Sequence, residues 1–134
     1  MATDPEFLAH VLDQFSGLGP ISTGRMFSGT ALYVQGEVMF AAILGDTVWM
    51  KSDASTHAAY VAAGSRPFSY MRQSGLREAA SLMSLPDAAM DDPDEALRWA
   101  QLSLAPAEAA AATKRLQKAR KAGKIRTRDL PKTT

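Results

Sequence analysis

Three short runs of apolar, aromatic and β-branched residues constrain the fold of this chain most strongly. They are the stretch from Arg25 to Val34, then Glu37 to Leu44, then Thr47 to Lys51, with Gly36 and the pair Gly45-Asp46 between them. Such runs, separated by one or two turn residues, predict a tight antiparallel meander of three strands. Loops this short leave little room for a catalytic loop, so the pattern favours a binding or regulatory domain over an enzyme.

Length and composition limit the class of protein further. A chain of 134 residues can bury roughly two thirds of its unfolded surface, enough for one self-sufficient core. With no cysteine, disulfides, thiolate catalysis and Cys-based metal sites are excluded. The sequence has no run of about 18 apolar residues and its first residues are acidic, so we expect no membrane span, no secretory signal and a cytoplasmic location.

The net charge of +1 conceals an uneven distribution of charge. Residues 1–113 hold six basic and thirteen acidic side chains, whereas residues 114–134 hold nine basic side chains and one acid, Asp129. An acidic body with a basic end is typical of chains whose end contacts nucleic acid or an acidic partner surface.

The remaining patterns predict two helices and a hairpin around the meander. Asp4 and Pro5 begin a helix, and residues 53–63 form a second one, for which Gly64 is a left-handed C-cap. Residues 67–72 and 76–85 read as paired strands. The predicted order is therefore α-β-β-β-α-β-β-α, a two-layer α+β fold in which helices pack on an antiparallel sheet.

The C-terminal part begins with the clearest helix start in the chain, Asp92-Pro93-Asp94-Glu95. Pro106 is expected to break or kink this helix near Leu104. A further helix is predicted over residues 107–122, and the polar residues 124–134 are expected to be disordered. We accordingly expect an α+β domain over residues 1–105 and a basic helix and tail over residues 106–134.

The middle strand of the meander is apolar on both faces. Simple alternation places Val38, Phe40, Ala42 and Leu44 on one face and Met39, Ala41 and Ile43 on the other. A sheet with one solvated face alternates apolar with polar residues. We therefore expect the second face to be covered, either by the chain's own helices or by a second copy of the chain in a homodimer.

No motif in the chain carries a specific chemistry. The segment from Gly24 to Thr30 partly matches a phosphate-binding loop, but it lacks the lysine and the following helix. His10 and His57 have no second histidine at helical metal spacing, so we interpret them as solvated. The acidic run at residues 91–95 is explained by helix capping. We expect no catalytic residue, no metal and no cofactor.

The basic end supplies the candidate binding residues. One interpretation is that its cations bind the phosphates of a nucleic acid. The alternative is that this like-charged terminus is simply solvated. The chain has no aromatic residue after Trp99, so base stacking is not expected there. The candidate residues are Lys114, Arg115, Lys118, Arg120, Lys121, Lys124, Arg126 and Arg128.

Taken together, several segments resemble the N-terminal domain of the TfoX/Sxy proteins. They include Gly19-Pro20, Arg25-Met26-Phe27-x-Gly29, Met39-Phe40-Ala41, Trp49-Met50-Lys51, Phe68-Ser69-Tyr70 and Asp91 to Leu97 with Trp99-Ala100. The similarity extends from about Phe7 to Leu104. Arg25, Phe27 and Gly29 match the family signature, and their role is interpreted as structural.

The resemblance implies a function in regulation. Full-length members of this family are cytoplasmic bacterial proteins that promote transcription of competence genes, and they are α+β proteins without cofactor or known enzymatic activity. They carry a second, helical C-terminal domain where this chain has its basic helix and tail. The resemblance favours a non-enzymatic regulatory or adaptor domain whose partner is a protein, such as part of the transcription machinery. The alternatives are nucleic-acid association through the basic tail and a small enzyme with an unrecognised site.

Overall fold

One six-stranded antiparallel sheet and three helices form the fold, which confirms the predicted α+β class. The structure, a computed structural model, describes residues 3–26 and 28–129, with side chains as far as Ala122. The elements are α1 (Pro5–Gln14), β1 (Ile21–Met26), β2 (Gly29–Val34), β3 (Val38–Leu44), β4 (Thr47–Lys51), α2 (His57–Ala62), β5 (Pro67–Arg72), β6 (Gly75–Ser84) and α3 (Pro93–Asp129). The strand order is β1-β2-β3-β4-β6-β5, so β1 and β5 are the two edges.

The meander has four strands rather than the predicted three. Residues up to Gly24 were expected to be loop, but Ile21 pairs with Val34 and the pairing continues to Met26 and Gly29. As an edge strand β1 has a single neighbour and is largely exposed, so its polar residues carry no alternating pattern. The prediction was wrong because hydrogen bonding to β2, and not an apolar face, makes this segment a strand.

A bulge in β3 changes which side chains share a face. Leu32 pairs with Ala41 and Tyr33 with Met39, so Phe40 is an extra residue between them. Phe40 and Ala41 are both buried in the core with Val38 and Ile43. The predicted assignment of side chains to the two faces was therefore wrong beyond Phe40, because one inserted residue moves every later side chain of the strand to the opposite face.

Helices α1 and α3 cover one face of the sheet, and α2 packs on α3. Phe15 meets Phe40 edge to face with ring centroids 5.3 Å apart, and the ring of Tyr60 from α2 lies 4.7 Å from that of Trp99. Small residues on α3 let its backbone approach the sheet closely. The buried ones are Ala96, Ala100, Ser103, Ala107 and Ala111.

Helix α3 continues through Pro106, so the predicted break there was wrong. A proline inside a helix removes one backbone hydrogen bond. Burial of Ala100 before Pro106 and of Ala107 after it offsets that loss, because both residues pack into the same core. The helix also extends past Gly123 to Asp129, where disorder was expected. The division proposed at residue 105 thus falls inside one helix, and it stays a prediction.

The start of α3 agrees with its prediction, whereas the start of α2 does not. Asp92 caps α3 as expected, with Oδ1 accepting hydrogen bonds from the amides of Asp94 at 3.0 Å and Glu95 at 3.3 Å. Asp53 instead closes a turn, where its side chain accepts a hydrogen bond from the Ser55 amide at 2.9 Å, and α2 begins only at His57.

Of the helices that the structure describes, none combines the length and apolar content needed to cross a membrane.

Candidate functional site

The sheet face turned away from the helices carries a concave apolar surface, here called the open-face groove. Its volume is about 850 Å³, within the range of ligand-binding clefts. It extends from the β1 end of the sheet to the β5–β6 hairpin. The apolar side chains that line it are Met26, Met39, Leu44, Phe68, Tyr70, Met71, Ala79 and Leu82. The second face was expected to be covered, and within the described chain it keeps this opening.

The two aromatic rings of β5 and Arg72 form one wall of the open-face groove, and Trp49 and Arg66 lie next to that wall without lining the groove. The ring of Phe68 meets Trp49 edge to face at 5.2 Å and stacks near Tyr70 at 6.0 Å. The Arg66 guanidinium lies 5.6 Å from the Trp49 ring centre, and that of Arg72 lies 5.8 Å from Tyr70. Cations over aromatic faces are held in place without a carboxylate. The wall is thus apolar and positively charged at once.

Lys51 is the second cation that lines the open-face groove. Burial lowers the pKa of its ammonium group, and the like charge of Lys114 lowers it further. None of the groove-lining side chains is a carboxylate, and no ion pair to Lys51 occurs among the residues that the structure describes. Lys51 therefore holds a positive charge in a setting that does not favour it.

The β5–β6 hairpin projects past its neighbours as an arm made of residues 67–79. Only the end of β6 joins the main sheet, through Lys51 with Leu82, Met50 with Met83 and Trp49 with Ser84. Residues 75–79 of β6 pair with β5 alone. Met71 and Leu76 face each other across this hairpin arm and are 74% and 65% exposed. An isolated two-stranded ribbon is only marginally stable, so exposed apolar residues on it indicate a contact surface.

The candidate basic residues divide into three groups. A second concave surface, of about 420 Å³, lies between α3 and Glu37 of the β2–β3 turn. Four cations of α3 line it and are here called the basic stripe: Lys114, Arg115, Lys118 and Lys121. Arg115 pairs with Glu37 at 3.3 Å. Arg120 is exposed elsewhere on α3. The side chains of Lys124, Arg126 and Arg128 lie outside the described residues. Phosphate binding by the eight residues stays a prediction.

Of the signature residues, Arg25 lies on β1 and Gly29 begins β2. Gly29 is packed so tightly that an added Cβ would lie 2.0 Å from the Ile43 carbonyl oxygen. Arg25 is exposed on the edge strand and lines a shallow depression with Ser28 and Thr30. Phe27 lies outside the described residues. This close packing explains structurally why position 29 is a glycine.

Gly24 and Thr30 lie on paired strands, so the described part of this segment has no helix start to hold a phosphate.

Two further polar contacts in the described chain involve side chains that could in principle carry chemistry. His10 Nε2 lies 3.0 Å from the Met90 carbonyl oxygen, and the described residues contain no group of three metal-ligating side chains. The Tyr60 and Ser103 hydroxyl oxygens lie 2.5 Å apart in the core, where burial raises the pKa of Tyr60 to about 12. Both side chains are fully buried, so we interpret this pair as a packing contact between α2 and α3.

Sequence reasoning found the surroundings of the open-face groove but not the groove itself. The two-sided apolar character of β3 was a signal that its second face has a use. The missed signal is β5, whose large apolar residues Phe68, Tyr70 and Met71 stay at least partly exposed and are followed by Arg72. Among the residues that line the groove, Lys51 and Arg72 were never candidates.

Comparison of the chain with known protein families identifies the family to which it belongs. No curated protein matches the chain. A family model described as the TfoX N-terminal domain matches residues 13–107, more than two thirds of the chain. That range includes all six strands and the first part of α3. The family is one of non-enzymatic regulatory domains. The chain belongs to the TfoX N-terminal domain family.

Proposed function

We propose that this chain is a non-enzymatic regulatory or adaptor domain that acts through protein contacts. The observation that carries the proposal is the open-face groove, an apolar surface joined to a projecting hairpin arm with exposed Met71 and Leu76. Apolar surfaces of this kind on soluble domains serve as binding sites for other molecules. Family membership supports a regulatory role in transcription, with competence genes as the first case to examine and the cytoplasm as the location.

Affinity purification from native lysate tests the proposal. The tagged wild-type chain is compared with Met71→Glu, which changes the groove, and with Leu116→Glu, which changes an exposed apolar residue of α3. We expect a protein that co-purifies with wild type and Leu116→Glu, is lost with Met71→Glu and resists nuclease treatment. Equal recovery with both variants would contradict a groove-based function.

The homodimer stays part of this proposal as one form of protein contact. The expectation came from the two-sided β3 strand, one side of which α1 and α3 now cover. Sedimentation equilibrium of the full chain decides it, with Met71→Glu as the variant. A concentration-dependent dimer that Met71→Glu weakens would support self-association, whereas a monomer at all concentrations would remove it.

A second candidate function is nucleic-acid association through α3. The observation that favours it is the basic stripe, which gathers four cations on one concave surface. Four phosphate contacts would give a salt dependence with a slope of about −3.6 in log K against log salt for duplex DNA. Titration of the chain into labelled duplex DNA or RNA at two salt concentrations, with Lys114→Glu/Lys118→Glu as the variant, measures it. Binding that neither salt nor the variant weakens would contradict this function.

A further inference from the structure

We propose that the open-face groove binds an acidic, apolar segment of a partner protein. Bulky apolar side chains of the segment would enter the groove, and its carboxylates would meet Lys51 and Arg72. This inference deepens the proposed function and rests on it. It identifies the chemistry of the partner at that surface, which neither the fold nor family membership gives.

The apolar part of the open-face groove fits side chains rather than a single small polar ligand. Methionines from β1 and β3, Leu44 and the rings of Phe68 and Tyr70 line it, and it opens to solvent along the hairpin arm. Methionine side chains are flexible and polarisable, so they adapt to different apolar partners. An amphipathic helix commonly lays its apolar face into a groove of this kind.

The positive charge of the groove favours a partner segment that carries negative charge. Lys51 and Arg72 are its charged lining residues, and no carboxylate lines it. Arg66 lies over Trp49 next to Phe68, and Arg77 pairs across the hairpin with Tyr70. These are four of the six basic side chains of residues 1–113, a part of the chain that is acidic overall. The concentration of cations on one face of an acidic body favours an acidic segment.

The position of Lys51 in the open-face groove makes it a candidate partner for a carboxylate. Its ammonium group is close enough to Lys114 for their like charges to repel, and it is partly buried. Both effects disfavour the charged lysine in the free domain, and a carboxylate placed beside it would relieve both.

The same charges argue against a second copy of the chain as the occupant. A two-fold dimer places the same patch of both copies face to face. The cationic patch that holds Lys51 and Arg72 would then face an identical cationic patch, and like charges at an interface are unfavourable. The second copy is therefore an outcome of the test and not the proposed occupant.

Binding of synthetic peptides to the full-length chain tests the chemistry. Three short fluorescein-labelled amphipathic peptides serve as probes: one with leucine, phenylalanine and glutamate, a second with lysine in place of glutamate, and a third with serine in place of the apolar residues. We expect saturable binding of the first peptide in fluorescence anisotropy, and at least about tenfold weaker binding of the other two. Equal binding of the glutamate and lysine peptides, or no binding of either, would overturn the proposal.

Matched variants place the peptide in the open-face groove. Arg72→Glu should weaken binding of the acidic peptide about tenfold, while Arg98→Glu, the same charge change on exposed α3, should leave it unchanged. Met71→Ser should weaken binding about fivefold, while Leu116→Ser should not. All four residues are exposed, so the variants are expected to fold, and urea unfolding checks this. Equal effects within either pair would overturn the assignment.

Cross-linking in cells separates this inference from the proposed function. A photo-reactive amino acid at Met71 is activated, and the cross-linked segment is identified by mass spectrometry. A segment rich in carboxylates and apolar residues supports the inference. A basic or polar segment of another protein overturns the inference but leaves the proposed function standing. Cross-links confined to a second copy overturn the inference, and the absence of any cross-linked protein overturns both.

Discussion

Replacing Gly29 with alanine should destabilise the sheet more than any other single methyl addition to a glycine of the described chain. An alanine Cβ at this position would lie 2.0 Å from the Ile43 carbonyl oxygen and 2.9 Å from Leu44 Cδ2. Real Cβ atoms do not come closer than 3.0 Å to such neighbours, so β2 and β3 must separate by about 1 Å. The obstruction is a backbone oxygen in the sheet, which cannot rotate away as a side chain can.

The magnitude follows from what the separation breaks. One or two hydrogen bonds next to the pair of Thr30 and Ile43 would be stretched out of range, at about 1 kcal/mol each. Displacement of Leu44 and the crowding itself add about 1 kcal/mol more. The expected loss is therefore about 3 kcal/mol in the free energy of unfolding, which lowers the Tm of a domain of this size by about 10 °C.

Urea unfolding followed by circular dichroism measures the loss, with Gly17→Ala as the control. There the nearest atom is Leu97 Cδ2 at 3.1 Å, the rotatable end of a side chain. We expect Gly17→Ala to change the free energy of unfolding by less than about 0.5 kcal/mol. If Gly29→Ala were equally mild, close packing of the strands would not explain the glycine of the family signature, and a role in binding would have to be sought.

The remaining predictions concern the buried hydroxyl pair and the cap of α3. Tyr60→Phe and Ser103→Ala should each lower the free energy of unfolding by about 1–2 kcal/mol, since each leaves a buried hydroxyl with fewer partners, and in a double-mutant cycle the double variant should lose less than the sum. An additive cycle would contradict the contact. Because burial raises the pKa of Tyr60 from 10.0 to about 12, the unfolded chain loses this proton first, so wild-type stability should fall between pH 10 and pH 12 more steeply than that of Tyr60→Phe. Parallel pH curves from denaturant titrations would refute that. Asp92→Ala should cost about 1 kcal/mol in thermal unfolding, whereas Asp91→Ala, one residue earlier, should be near neutral.

The fold was predictable from the sequence where local patterns determine it. The turns at Gly36 and Gly45 and the cap at Asp92 are local signals, and the meander, the hairpin and the start of α3 followed from them. Strand β1 was not predictable in the same way, because its partner lies in β2 and its own residues are polar. The continuity of α3 through Pro106 depends on tertiary packing of Ala100 and Ala107, which outweighs the local effect of proline.

The candidate site was less predictable because it is built by a bulge and by distant elements. The extra residue at Phe40 determines that Met39 and Leu44 face the open side of the sheet with Leu82 and Phe68. No local pattern announces where a bulge falls. Lys51 and Arg72 approach the same groove only because β6 pairs with both β4 and β5, a non-local arrangement.

Helix α3 also has a mechanical consequence for the domain. Its 37 residues correspond to a rod about 55 Å long, of which the first half is anchored in the core as far as Ala111. Starting a helix is costly but extending one is not, so the anchored half favours continued winding of the residues that follow it. The cations of the basic stripe, which follow Ala111 on the same helix, are therefore held at a fixed position relative to the sheet. A molecule that binds this part of α3 would therefore also constrain the orientation of the whole domain.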